Sequence, residues 1–173
     1  VAEGATRLII LDTNALITFL DGEKSSSEYY NLVSALEALI QETLALPMPV
    51  ISEFIAGDDN EARSLSLIKP NSKFKALDFD AKAALVAAKI YKDYRGSLPK
   101  SNQSQRPNQK IKVDIQILGI AIANNASMIV THDKGIKKIV DCLGLPIVVF
   151  DYIDRNYLEQ MASIVISEDD LVQ

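Results

Sequence analysis

Leu8-Ile9-Ile10-Leu11-Asp12-Thr13-Asn14 is an apolar run that stops at a carboxylate, and a helical pattern begins directly after it at Ala15. A run this short and this rich in Ile and Leu reads as a strand buried on both faces, the habit of a central parallel strand covered by helices. Asp12 then stands at the strand's carboxyl end. Ligands of open α/β sheets bind there, because helices start at that edge with their free N–H groups facing outward.

The rest of the composition narrows the chemistry. A chain of 173 residues suits a single domain that buries a core without staples. The expected span of that domain is 6–163, with terminal tails at 1–5 and 164–173. Cys142 and His132 are the only residues of their kinds, which excludes disulfides and soft-metal ligand sets and suits a reducing cytoplasm. Cys142 itself reads as a small core residue. No apolar run approaches the roughly 20 residues of a bilayer span, and no signal-peptide layout opens the chain. The expectation is a soluble cytoplasmic protein with no membrane partner. The net charge of −5 is unevenly spread. Between Lys92 and Lys112 six cations face Asp93 alone, so a segment of +5 sits on a remainder of −10, within that total of −5. An acidic body carries one basic patch.

Taken in order, the pattern predicts a short helix from Ala15 to about Leu20. A long amphipathic helix follows, capped near Ser25-Ser26-Ser27-Glu28 and ended by Pro47 and Pro49, with Leu32, Leu36 and Leu39 inward. Those leucines suit core packing better than a dimer or partner surface. Met48 to Ile51 reads as the second strand, Ser52 as an N-cap and Glu53 as a first-turn acid of one or two helices near Gly57. Lys73 to Phe79 alternates like an edge strand. Asp80 caps an alanine-rich helix with Leu85, Ile90 and Tyr91 inward. Ser97 to Gln109 is a long polar linker. Asp114 opens a further helix, Ser127 to Thr131 is a strand ending at His132-Asp133, and another helix runs to about Val140. Leu145 to Phe150 is the last strand and Tyr152 to Ala162 a terminal helix. This alternation predicts a parallel sheet with helices on both sides, helix starts gathering at the strands' carboxyl edge.

Four acids are expected on that rim: Asp12, Glu53, Asp114 and Asp133. Each alone has an ordinary explanation as a helix cap or dipole partner. Together they repel, two carboxylates about 5 Å apart by about 3 kcal/mol at an effective dielectric near 20. Such crowding calls for protons or a cation. An all-oxygen donor set selects Mg²⁺ or Mn²⁺, and such an ion suits hydrolysis of a phosphodiester.

In these residues the chain resembles the PIN domain ribonucleases. The resemblance runs from Leu8 to about Asp151 and rests on four pieces in order. They are the strand ending Leu-Asp-Thr-Asn; Ile51-Ser52-Glu53-Phe54-Ile55-Ala56-Gly57; Asp114 with Ala121 and Ile122; and Ile129-Val130-Thr131-His132-Asp133. It implies a three-layer α/β/α fold with a central parallel sheet and cleavage of single-stranded RNA using Mg²⁺ or Mn²⁺. Products would carry a 5′-phosphate and a 3′-hydroxyl. Many small members are toxins of toxin-antitoxin pairs, the VapC-like group, so an antitoxin protein and a homodimer are the implied partners. Carried over by position, Asp12, Asp114 and Asp133 would face the metal and Glu53 would complete the quartet. Asn14 and Thr131 would orient carboxylates or waters. His132 reads as surface filler. Lys110, Lys112, Lys134 and Lys137 flank two of the acids and are candidates for gripping the RNA backbone. Ribonuclease H-like nucleases begin with antiparallel hairpins, haloacid dehalogenase-like phosphatases need Asp where Asn14 stands, and receivers need an acidic pair at Asp12. The remaining rival is a catalytically silent PIN scaffold that binds RNA or a partner protein.

Overall fold

A computed structural model describes residues 6–99, 109–154, 156, 159–160 and 162. Among the described residues five strands form one parallel sheet: β1 (Leu8–Leu11), β2 (Thr43–Pro47), β3 (Lys75–Leu77), β4 (Met128–Val130) and β5 (Val148–Phe150). Their order across the sheet is β3-β2-β1-β4-β5. Seven helices are present among the described residues: α1 (Thr13–Asp21), α2 (Ser27–Ala38), α3 (Met48–Gly57), α4 (Glu61–Ile68), α5 (Ala81–Ser97), α6 (Gln109–Ala123) and α7 (Lys134–Leu143). Right-handed crossovers put α1 to α4 on one face of the sheet and α5 to α7 on the other, which is the expected three-layer α/β/α architecture.

β1 lies at the centre and is buried from Ile9 to Leu11. The chain runs outward from it to β2 and β3, then returns to lay β4 against its other side. The order therefore reverses between β1 and β4, and the crevice outside that switch point is where open α/β sheets take ligands. Asp12 follows β1, and Thr131 to Asp133 follow β4.

Local signals place several elements as expected. The Ser26 hydroxyl accepts from the Tyr29 N–H at the start of α2, and Asp80 accepts from the Ala83 N–H at the start of α5. β3 is an edge strand. Leu32, Leu36 and Leu39 are in the core. Others differ. Met48 to Ile51 is not a strand but the first turn of α3, and the strand is Thr43–Pro47 just before it. The second helix ends at Ala38 without help from proline, and Pro49 sits within the first helical turn, where a missing N–H is harmless. Glu53 and Asp114 are each the sixth residue of their helices, so neither is a first-turn acid and Ser52 is no N-cap. Leu85 faces solvent at 74% exposure, and Cys142 is exposed on α7 rather than buried. The linker falls mostly on residues 100–108, and most of the terminal helix also lies outside the described residues.

Two features tie the layers to the rim. Arg63 on α4 pairs with both Asp58 and Asp21, and its guanidinium lies 5.5 Å from the centre of the Phe54 ring, so α3 is clamped to α1 through α4. On the other face, α5 and α6 approach at Gly119, where a methyl group would come within 2.7 Å of the Ala87 Cβ and 2.9 Å of the Ala83 carbonyl oxygen. Backbone cannot yield as a side chain does. Gly119→Ala is therefore expected to destabilise the fold by about 1–3 kcal/mol through forced separation of the two helices, read as a lower urea midpoint. An unchanged midpoint would mean the helices are free to part.

Candidate metal centre

Asp12, Glu53, Asp114 and Asp133 line one cavity of about 540 Å³, together with Thr13, Asn14, Lys110 and His132. The four acids arrive from the end of β1, from α3, from α6 and from the start of α7. Glu53 and Asp114 reach the cavity from mid-helix, each as the sixth residue of its helix. The Thr13 hydroxyl donates to Glu53 at 2.6 Å and so links α3 to the end of β1.

Asp12 is 95% buried and held on one oxygen. Its Oδ2 accepts from the Thr131 hydroxyl at 2.8 Å and from the Asn14 amide at 2.8 Å. Thr131 in turn accepts from the Asn14 amide at 3.0 Å and from the Asp133 N–H at 2.9 Å. Asn14 and Thr131 thus hold the Asp12 carboxylate in one orientation. Burial raises the Asp12 carboxyl above its usual range, opposed by the Thr131 bond and assisted by the charges of Asp133 and Glu53.

Asp114 is equally buried and less well served. Its Oδ2 is the buried side-chain oxygen or nitrogen without a hydrogen-bond partner among the described residues. Burial first, then the charges of Asp133 and Asp12, push its carboxyl up to about 7. A buried carboxylate oxygen with no donor is costly, and such an atom calls for a proton or a cation.

Asp133 caps α7, accepting from the Gly135 N–H at 2.6 Å. Its Oδ2 lies 2.8 Å from Lys110 Nζ. Burial works to raise this carboxyl, but Lys110 and the Gly135 N–H outweigh it and leave it below the usual range. The same pairing raises the Lys110 ammonium. Lys110 therefore belongs to the pocket. Lys112, Lys134 and Lys137 are exposed and do not line the cavity, and Lys137 lies 3.5 Å from Asp141.

Gly135 separates two of the acids. A methyl group there would come 2.9 Å from Asp133 Oδ1 and 3.0 Å from Asp114 Oδ2. Only hydrogen at this position leaves both oxygens where they are.

Among the described residues no three His, Cys, Asp or Glu side chains are already drawn into a ligand set. Lys110 holds Asp133 to one side, and like charge opposes closer approach of the others. The donors are nonetheless all oxygen, and one of them is buried without a partner. This donor set would suit a hard divalent ion, which keeps several of its own waters and would be held by Asp12, Asp114 and Asp133.

Two residues were underread in the sequence. His132 is half-buried rather than surface filler, with Nδ1 2.9 Å from the Tyr152 hydroxyl and its ring edge-on to the Tyr152 ring. Tyr152, fully buried after β5, contacts Asn14 and Thr18 as well. Burial pushes its phenol up to about 12, so it keeps its proton throughout the neutral range. An aromatic 19 residues beyond the last rim acid carries no sequence signal of this role.

A protein-family model described as PIN domain matches residues 9–141. Among solved structures, VapBC2 from Rickettsia felis, bound to a DNA fragment from their promoter, aligns with a TM-score of 0.54 at 20% identity, over 82% of this chain and 96% of that one. DNA-bound VapBC from Salmonella typhimurium aligns with a TM-score of 0.55 at 19% identity, over 85% and 99%. No curated protein matches the chain.

Proposed function

The chain belongs to the PIN domain family, and from that premise we propose that it is a divalent-metal-dependent endoribonuclease that hydrolyses phosphodiester bonds of single-stranded RNA. The observation that carries this reading is the convergence of four carboxylates on one cavity at the switch point, one of them with a buried, unpartnered oxygen. Asp12, Asp114 and Asp133 would hold Mg²⁺ or Mn²⁺, with Glu53 completing the quartet directly or through a water. When bound, such an ion lowers the pKa of water and offsets charge on a phosphodiester during in-line displacement.

The chain's own groups do the rest. Thr131 and Asn14 keep Asp12 in one orientation, and Thr13 does the same for Glu53. Lys112, Lys134 and Lys137, with Lys110 at the pocket wall, draw the RNA backbone toward the acids. The two VapBC likenesses support a narrower version, in which this protein is the cytoplasmic toxin of a toxin-antitoxin pair and is restrained by an antitoxin protein.

The test is cleavage of a single-stranded RNA with Mg²⁺ or Mn²⁺ added or chelated. Expected products carry 5′-phosphate and 3′-hydroxyl ends, as read by end-labelling. Cleavage that survives chelation, or 2′,3′-cyclic phosphate ends, would reject the reading. If about four lysines touch the strand, log affinity falls with log salt at a slope of about −3. A flat response would remove the lysines from that role. Growth arrest on induced expression, relieved by the adjacent gene product, tests the toxin assignment.

A further inference from the structure

Tyr152 lies outside the matched family region, yet its hydroxyl touches the residue that holds Asp12. It stands 2.9 Å from His132 Nδ1, 3.1 Å from Thr18 Oγ1 and 3.3 Å from Asn14 Oδ1. Asn14 uses its amide nitrogen for Asp12 and Thr131, and its oxygen accepts the backbone N–H of His132 at 3.2 Å. That N–H fixes which end of the amide faces which way.

We propose that Tyr152 is a positioning residue of the nuclease reaction, whose hydroxyl donates to Asn14 Oδ1 and clamps the amide that orients Asp12. The proposal rests on the nuclease reading for its activity arm only. Hydrogen-bond bookkeeping makes it specific. Tyr152 has one proton and three neighbours, and Asn14 Oδ1 has none to give, so the proton goes to Asn14. The phenol oxygen then accepts from Thr18 and from His132, which must carry its proton on Nδ1. The backbone carbonyl of Tyr152 accepts from the Asn31 amide at 3.0 Å, which fixes the tyrosine against α2.

His132 is the only histidine, so ¹⁵N-histidine labelling of the parent protein reports its ring alone. At alkaline pH the neutral ring is expected to carry its proton on Nδ1. A proton on Nε2 instead would send the tyrosine's proton to His132 and overturn the proposal. Tyr152→Phe keeps the ring and loses the hydroxyl. It is expected to lower kcat on RNA by about tenfold or more with little change in KM, and to weaken Mn²⁺ binding in calorimetry by a similar factor. In an Asn14→Ala background the same change should add nothing. A folded Tyr152→Phe protein with parental kcat and Mn²⁺ affinity, or effects that simply multiply in the double variant, would overturn the proposal. If Tyr152→Phe does not fold, the tautomer of the parent decides. If the parent cleaves no RNA, the nuclease reading fails, while the tautomer and Mn²⁺ titration still judge Tyr152.

Discussion

Asp114→Asn is expected to abolish metal-dependent cleavage and, in the metal-free protein at pH 8, to raise the urea midpoint above the parent's. The first effect follows from position. Residues that merely support a metal ligand typically cost 10–100-fold when changed, so loss of a carboxylate proposed to hold the ion should exceed about a hundredfold. The second follows from its titration. The folded-state pKa of about 7 stands above the ordinary 3.8, so the folded state binds this proton more tightly than the unfolded chain does. Below about pH 4 both states are protonated and Asp114 is neutral in its effect. As pH rises from 3.8 to 7 the folded state increasingly pays for a buried charge, and above 7 the full cost is present. Asparagine removes that cost and adds N–H donors facing Asp12 and Asp133. The gain is about 2 kcal/mol at pH 8 once solvent screening is allowed for, and near zero at pH 4. Denaturation in EDTA at the two pH values checks it. A variant less stable than the parent at pH 8 would show that Asp114 is structural, and retained cleavage would reject its place at the metal.

Gly135→Ala is the companion case, with the opposite balance of fold and function. The added methyl meets carboxylate oxygens at 2.9 and 3.0 Å, and both belong to the ends of side chains that can swing aside. The backbone there is not left-handed, so alanine costs the fold little. Asp133 and Asp114 must move apart, however, and the pocket loses the space between them. Mn²⁺ affinity should fall at least about tenfold, with cleavage falling in step, while the melting temperature shifts by only a few degrees. Calorimetric titration beside a thermal melt separates the two readouts. Parental Mn²⁺ affinity in this variant would place the ion elsewhere in the cavity.

The sequence was most readable where function and periodicity coincide. The apolar run into Asp12 and the run into Thr131-His132-Asp133 marked the two strands that flank the switch point. Glu53 and Asp114 were found as residues but misplaced within their helices. Acids at helix starts are so common that the capping explanation hid the alternative, an acid that reaches the cavity from mid-helix. β2 was misplaced because Leu44, four residues after Ile40, continues the helical spacing of Leu36, Leu39 and Ile40, and the prolines at 47 and 49 drew the helix end past Thr43. The Lys110–Asp133 pair, the gap between Asp133 and Asp114 at Gly135 and the reach of Tyr152 depend on contacts across 20 to 138 positions of chain. Local pattern carries no record of such contacts.

The central place of β1 has a consequence for biosynthesis. Its neighbour β2 is made soon after it, but β4, which pairs along its other side, begins 120 positions later, and Tyr152 later still. A nascent chain halted before residue 128 has Asp12 and Glu53 but lacks Thr131, Asp133 and half the pairing that seats Asp12. On the proposed nuclease reading, the centre is therefore completed only once Asp133 and then Tyr152 have emerged, and chains truncated before residue 128 should lack nuclease activity.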